Sequence, residues 1–230
     1  MTKIKICGLF REEDVEYANE AGPDFIGFVF APSRRRVSAE RAARLRSRLA
    51  AGIIPVGVFV RAPPEEITRR YQEGLFDMAQ LHGDEDGAYI RRLKELSAGT
   101  GRGPVPVIKA VRVEGAADLE PWRDTSTSPE VRDAGTPDYL LLDRGGGGTG
   151  QAFDWDLLGP GTGEQAGGDR VPVLGQPWFL AGGVSLDTLD RALIYRPFAI
   201  DVSSGAETGG IKDREKMIAL VKRIREELKR

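Results

Sequence analysis

The chain contains one cysteine, and it stands where a reactive group would be useful. Cys7 closes the run "KIKIC" and Gly8 follows at once. A thiolate near cations such as Lys5 or the "SRRR" cluster would have a lowered pKa and act as a base or nucleophile. The bland alternative is a small buried hydrophobe. Asp143 ends a second apolar run, "YLLLD". Partial burial there would raise its pKa and keep it protonated as a general acid; an N-cap or an ion pair with Arg144 is the structural alternative. His82 is the only histidine, so a multi-histidine metal site is excluded, and one cysteine makes a zinc site improbable. Together with Gln80 it reads as a polar wall of a pocket, or as a satisfied structural residue.

Two glycine-bearing turns suggest an anion site. Gly182 and Gly183 follow "WFLA", while Ser203, Ser204 and Gly205 follow "FAIDV", with Gly209 and Gly210 opening a further turn. Glycine lets backbone N–H groups approach a phosphate with no side chain between them. Tight strand-to-helix turns also want glycine, so either turn alone is ambiguous. No G-x-x-x-x-G-K-[ST] is present, which favours a phosphosugar over a nucleoside triphosphate. Within "SRRRV" one arginine, Arg35 or Arg36, suits a carboxylate or phosphate. Three arginines without interleaved aromatics, in a chain of net charge −2, do not make a nucleic-acid patch.

Eight apolar runs must position these groups: 3–7, 25–30, 54–60, 77–82, 105–111, 138–143, 177–182 and 198–204. Several are apolar on both faces, as buried parallel strands are. Amphipathic stretches lie between them: Ala42, Leu45 and Leu49; Ile67 and Tyr71; Ile90 and Leu93; Leu186, Leu189 and Leu193; and Met217, Val221, Ile224 and Leu228. Ser38, Asp84 and Ser185 are the expected N-caps. Helices after the fifth and sixth strands cannot be placed. The pattern reads as α/β, a single-domain (β/α)₈ TIM barrel over 1–230, with the catalytic groups at the C-terminal strand ends. An open doubly wound sheet is the alternative, but no G-x-G-x-x-G follows the first strand. The Gly/Pro-rich stretches 97–104, 123–137 and 159–177 become surface insertions, and "GGGGTG" after Asp143 a lid or a linker. Strand parity puts Cys7 on the side of Lys3 and Lys5, the barrel interior.

With 40% hydrophobic and 30% charged residues, the composition is that of an ordinary globular protein. The near balance of 33 basic and 35 acidic residues sets up no field for nucleic acid or an anionic membrane. No apolar run approaches a membrane span of about 18 residues. One cysteine and no signal peptide suit the cytoplasm. Oligomeric state has no signature here.

At these residues the chain resembles the phosphoribosylanthranilate isomerases of tryptophan biosynthesis. The resemblance runs nearly end to end through "KICGL", "GFVFAPSRRRVS", "VGVFV", "AQLHGDE", "VIKAVRV", "LLLD" with "GGTGQAFDW", "LAGGV", and "DVSSGAE" followed by "GIKD". It implies a barrel that works without metal or coenzyme on a phosphosugar, performing an Amadori rearrangement. It also implies that Cys7 is the general base, Asp143 the general acid, and Arg35 the partner of the anthranilate carboxylate, with Arg36 as the alternative. The family usually has Thr where Phe10 stands, so a helix N-cap is expected to be lost. A relative that also accepts a histidine-pathway intermediate uses Asp in place of the first-strand cysteine, and Cys7 argues against that activity. A phosphate-binding barrel without catalysis is the non-enzyme reading, and intact Cys7 and Asp143 argue against it.

Overall fold

The computed structural model describes residues 1–123, 134–145, 153–158 and 174–227. Among the described residues eight strands form one sheet: β1 (Lys3–Cys7), β2 (Phe25–Val29), β3 (Ile54–Phe59), β4 (Met78–Leu81), β5 (Val107–Arg112), β6 (Tyr139–Asp143), β7 (Trp178–Leu180) and β8 (Ala199–Val202). Each pairs in parallel with its neighbour, and β8 returns to β1 with Lys3 opposite Ala199 and Lys5 opposite Asp201. That closure makes a barrel and excludes the open sheet.

Alternation along the strands sorts the apolar residues into two cores. Phe25, Val56, Met78, Ile108, Leu141, Phe179 and Ala199 fill the barrel. Ile4, Ile6, Ile26, Phe28, Leu81, Leu140, Leu142, Ile200 and Val202 point the other way and pack against the helices. Each such residue fully buried contributes roughly 1.5–3 kcal/mol. Because Ile4 and Ile6 face outward, Lys5 and Cys7 must face inward, as strand parity predicts.

The helices are α1 (Glu12–Ala21), α2 (Ala39–Ser47), α3 (Pro64–Gln72), α4 (Gly87–Ala98), α5 (Leu189–Ile194) and α6 (Arg214–Glu227). Met217, Val221 and Ile224 bury one face of α6; Leu228 lies outside the described residues. After β5 and β6 the described residues form two short 3₁₀ segments, Ala116–Trp122 and Trp155–Leu158. Pro121 inside the first has no N–H to donate to an α-helical ladder. The loop 146–152 and most of the insertions 123–137 and 159–177 lie outside the described residues.

Helix starts agree with the sequence in part. Ser38 caps α2, its Oγ accepting from Arg41 N at 3.1 Å. Asp84 does not cap α4; it pairs with Arg61, and Asp86 accepts from Tyr89 N instead. Ser185 opens a turn closed by Thr188 rather than α5, and Leu186 is exposed. The cap lost at Phe10 is replaced from inside α1. The Asp14 carboxylate accepts from the N–H of Phe10 and of Arg11, both at 3.0 Å, a contribution typically of about 1 kcal/mol. Gly209 and Gly210 lie between two short strands. With φ of 59° and 85° they turn a two-residue hairpin joining β9 (Glu207–Thr208) to β10 (Ile211–Lys212).

Candidate active site

Cys7 lies at the tip of β1, 8% exposed. Its Sγ occupies space that only a glycine on β2 can leave: a Cβ at Gly27 would stand 2.7 Å from it. Beneath it Lys5, wholly buried, donates to Asp201 Oδ1 at 2.9 Å. Burial pulls the Lys5 ammonium down, but Asp201 and the Cys7 sulfur together hold it above its ordinary value. For Cys7 the balance is reversed. Burial pushes the thiol up, and the cations of Lys5 and Lys212 pull it down without overcoming that; Asp201 adds to the rise. The lowered thiol pKa expected from nearby cations is therefore corrected. The thiolate is rarer than on an exposed cysteine and, once formed, is the stronger base.

Of the two candidate arginines, Arg35 is buried and Arg36 exposed. The Arg35 stem crosses Gly8, where φ is +86° and a Cβ would collide with its Cδ. Both facts require glycine after Cys7. The Arg35 guanidinium grips Glu207 with Nε at 2.7 Å and Nη2 at 3.0 Å. Lys212 donates to the same carboxylate at 2.8 Å and to Ser203 O at 2.9 Å, and Ser203 Oγ reaches Cys7 O at 3.3 Å. Burial would raise the Glu207 carboxyl, but Arg35 and Lys212 lower it to about 2 from an ordinary 4.5. A carboxylate depressed by folding stabilises the fold above its unfolded pKa and loses that contribution as the pH falls through its folded one. We expect the stability advantage of the wild type over Glu207→Gln, followed by urea melts across acid pH, to be full above pH 4.5 and to vanish as the pH approaches about 2. A pH-independent difference would contradict this.

Asp143 stands on β6, three strands from β1 round the closed sheet, and is 8% exposed. Its Oδ1 accepts from its neighbour's backbone, Arg144 N, at 2.8 Å, and its Oδ2 lies 3.4 Å from His82 Nε2. Gln80 Nε2 sits 2.8 Å from His82 Nδ1. With Gln80 donating, the assigned ring proton falls on Nε2 and faces Asp143. The turn after His82 is held by a buried pair, Lys109 with Glu85 at 3.0 Å. Glu85 also accepts from the N–H of Arg61 and of Gly83. Thus Gln80, His82 and Asp143 form one chain of polar contacts.

The two glycine turns meet behind these groups. Gly182 and Gly183 have φ of 79° and 69°. Among the described residues neither N–H takes part in the turn and loop hydrogen bonds. A Cβ at Gly205 would fall well inside contact distance of Val184 O, so the turns after β7 and β8 touch backbone to backbone. Among the described residues no group of three His, Cys, Asp or Glu is arranged to hold a metal ion, and no helix is long and apolar enough to cross a membrane.

Sequence reading missed Asp201, Glu207 and Lys212. Parity would have found Asp201, which alternates with outward-facing Ile200 and Val202. Glu207 and Lys212 had no such signal, because the hairpin that presents them belongs to no strand of the barrel.

The N-(5'phosphoribosyl)anthranilate (PRA) isomerase family matches residues 4–223. The chain belongs to this family. It is 40% identical over 231 residues to an N-(5'-phosphoribosyl)anthranilate isomerase of Endomicrobium trichonymphae, covering 98% of this chain and 99% of that one. It is 38% identical over 226 residues to one from Caldanaerobacter subterraneus, covering 98% of each. Among solved structures, phosphoribosyl anthranilate isomerase from Thermus thermophilus superposes with a TM-score of 0.77 at 34% identity, over 98% of this chain and 99% of that one. Another, at 30% identity and TM-score 0.74, was solved in complex with reduced 1-(o-carboxyphenylamino)-1-deoxyribulose 5-phosphate, over 98% of this chain and all of that one. Family membership and the closed barrel agree with the resemblance seen in the sequence.

Proposed function

We propose that the chain converts N-(5-phosphoribosyl)anthranilate to 1-(2-carboxyphenylamino)-1-deoxyribulose 5-phosphate by general acid and base catalysis. Family membership along residues 4–223 is the observation that carries this reading. Asp143 gives its proton to the ribose ring oxygen. The C1′–O bond breaks, and the nitrogen lone pair forms the C1′=N bond of a Schiff base. Cys7, as thiolate, then takes the C2′ proton. The C2′–H electrons form C1′=C2′, and those of C1′=N return to nitrogen, giving an enolamine. Protonation at C1′ and loss of the 2′-hydroxyl proton leave the ketone, with no net change in atoms. Acid and base each contribute roughly 10²–10⁴-fold. The two must hold opposite protonation states on opposite sides of the sugar, which suits groups on β1 and β6.

Backbone N–H groups of Gly182, Gly183, Ser203, Ser204 and Gly205 take the phosphate, while Gln80 and His82 line the wall beside the acid. Gly205→Ala pushes the two turns apart at Val184 O. We expect KM to rise about tenfold or more, equivalent to about 1.4 kcal/mol of lost binding, with kcat changed less; an unchanged KM in the folded variant would remove the phosphate from this cradle. The overall reading is tested by following the fluorescence of phosphoribosylanthranilate with purified protein. Its enzyme-dependent loss, with the ketose phosphate formed in equal amount, is the expected result. Binding of the reduced product analogue without turnover would reduce the chain to a binding barrel.

A further inference from the structure

Three cations converge on one buried carboxylate beside Cys7. Glu207 accepts from Arg34 Nη2 at 2.6 Å, from Arg35 Nε and Nη2, and from Lys212 Nζ at 2.8 Å. One negative charge against three positive leaves the cluster with an excess suited to an anionic ligand. The way Arg35 binds Glu207 is equally informative. A guanidinium has a side edge, made of Nε and Nη2, and an end edge, made of Nη1 and Nη2. Glu207 occupies the side edge. Among the described residues Nη1 makes no hydrogen bond, so the end edge keeps the fork geometry that a second carboxylate accepts. The Arg35 stem is also trapped against Gly8, so the guanidinium is fixed from both ends.

We propose that Glu207 is a positioning residue that holds Arg35 with its end edge turned toward the substrate, and so sets the preference for a ligand bearing a ring carboxylate. This rests on the reading of Arg35 as the partner of that carboxylate. Lys212 serves the same purpose from the other side, joining Glu207 to Ser203 O in the turn assigned to phosphate. The hairpin β9–β10 thus links the carboxylate end of the ligand to its phosphate end.

The experiment titrates two probes: the reduced product analogue, and the same molecule lacking the ring carboxylate. Wild type, Glu207→Gln, Glu207→Asp and Arg35→Ala are compared by the ratio of the two affinities. General loosening of the fold weakens both probes and leaves that ratio in place. We expect Arg35→Ala to abolish the preference for the carboxylated probe and Glu207→Gln to lose about tenfold or more of it. Glu207→Asp, which keeps the charge on a shorter stem, should recover part. A full preference in Glu207→Gln beside a lost one in Arg35→Ala overturns the role of Glu207 and leaves that of Arg35. A full preference in Arg35→Ala overturns the Arg35 reading and Glu207 with it. Should Glu207→Gln fail to fold, Glu207→Asp decides: a reduced preference supports the proposal, and an unchanged one overturns it.

Discussion

A Cys7→Ser variant is expected to fold normally and to lose roughly 10²–10⁴-fold in kcat. The substitution removes little volume, and the space beside Gly27 that admits sulfur admits oxygen. What changes is basicity in the accessible range. A hydroxyl does not ionise near neutral pH, whereas even a thiol raised by burial furnishes some thiolate. The lysines beneath it remain, Lys5 paired with Asp201 and Lys212 with Glu207, so the electrostatic frame is preserved. Circular dichroism melts and steady-state kinetics on one preparation separate the two roles. A cysteine that merely fills space would give a small drop in Tm and a near-wild-type kcat.

The second large effect concerns Asp143. Asp143→Asn keeps the side-chain shape and an oxygen for Arg144 N, but removes the transferable proton. Turnover should fall by roughly 10²–10⁴-fold while the reduced product analogue still binds within a few fold, because proton donation matters in the transition state and little in the ground state. The new amide group also faces His82 Nε2 across the former carboxylate contact. Two donors would then meet, unless the His82 proton moves to Nδ1 and the Gln80 amide turns over. That rearrangement should cost about 1 kcal/mol, readable as a modest drop in Tm. Intact kcat with a lowered Tm would make Asp143 a structural partner of Arg144 and His82.

The barrel was legible because its physics is local. Strands buried on both faces give short apolar runs, and period-two alternation placed Lys5 and Cys7 inside from the outward positions of Ile4 and Ile6 alone. Eight runs with helical patterns between most of them leave few alternatives to closure. The connections after β5 and β6 were not legible, since Pro121 and the short 3₁₀ segments carry no 3.6-residue period. Cap assignment failed at Asp84 because a carboxylate near a helix start has two options, and an arginine across the neighbouring loop took it. Residue type alone does not tell the purpose of Gly209 and Gly210, whose left-handed conformations turn a hairpin. The ionic frame was the hardest part. Arg35 and Glu207 are 172 residues apart, Lys5 and Asp201 196, and nothing in either local sequence names its partner. Strand-end position singles out Cys7 and Asp143, motif resemblance implies their roles and that of Arg35, and geometry supplies what surrounds them.

Because the chain has one thiol, the claim that Cys7 is the base can be tested by chemical modification of the unmutated protein. Iodoacetamide at alkaline pH, where the buried thiol ionises, should add one carboxamidomethyl group at Cys7, followed by intact mass. Loss of phosphoribosylanthranilate turnover should track the modified fraction one to one, and the reduced product analogue should slow both together. Protein fully modified at Cys7 that still turns over substrate at the wild-type rate would contradict the account.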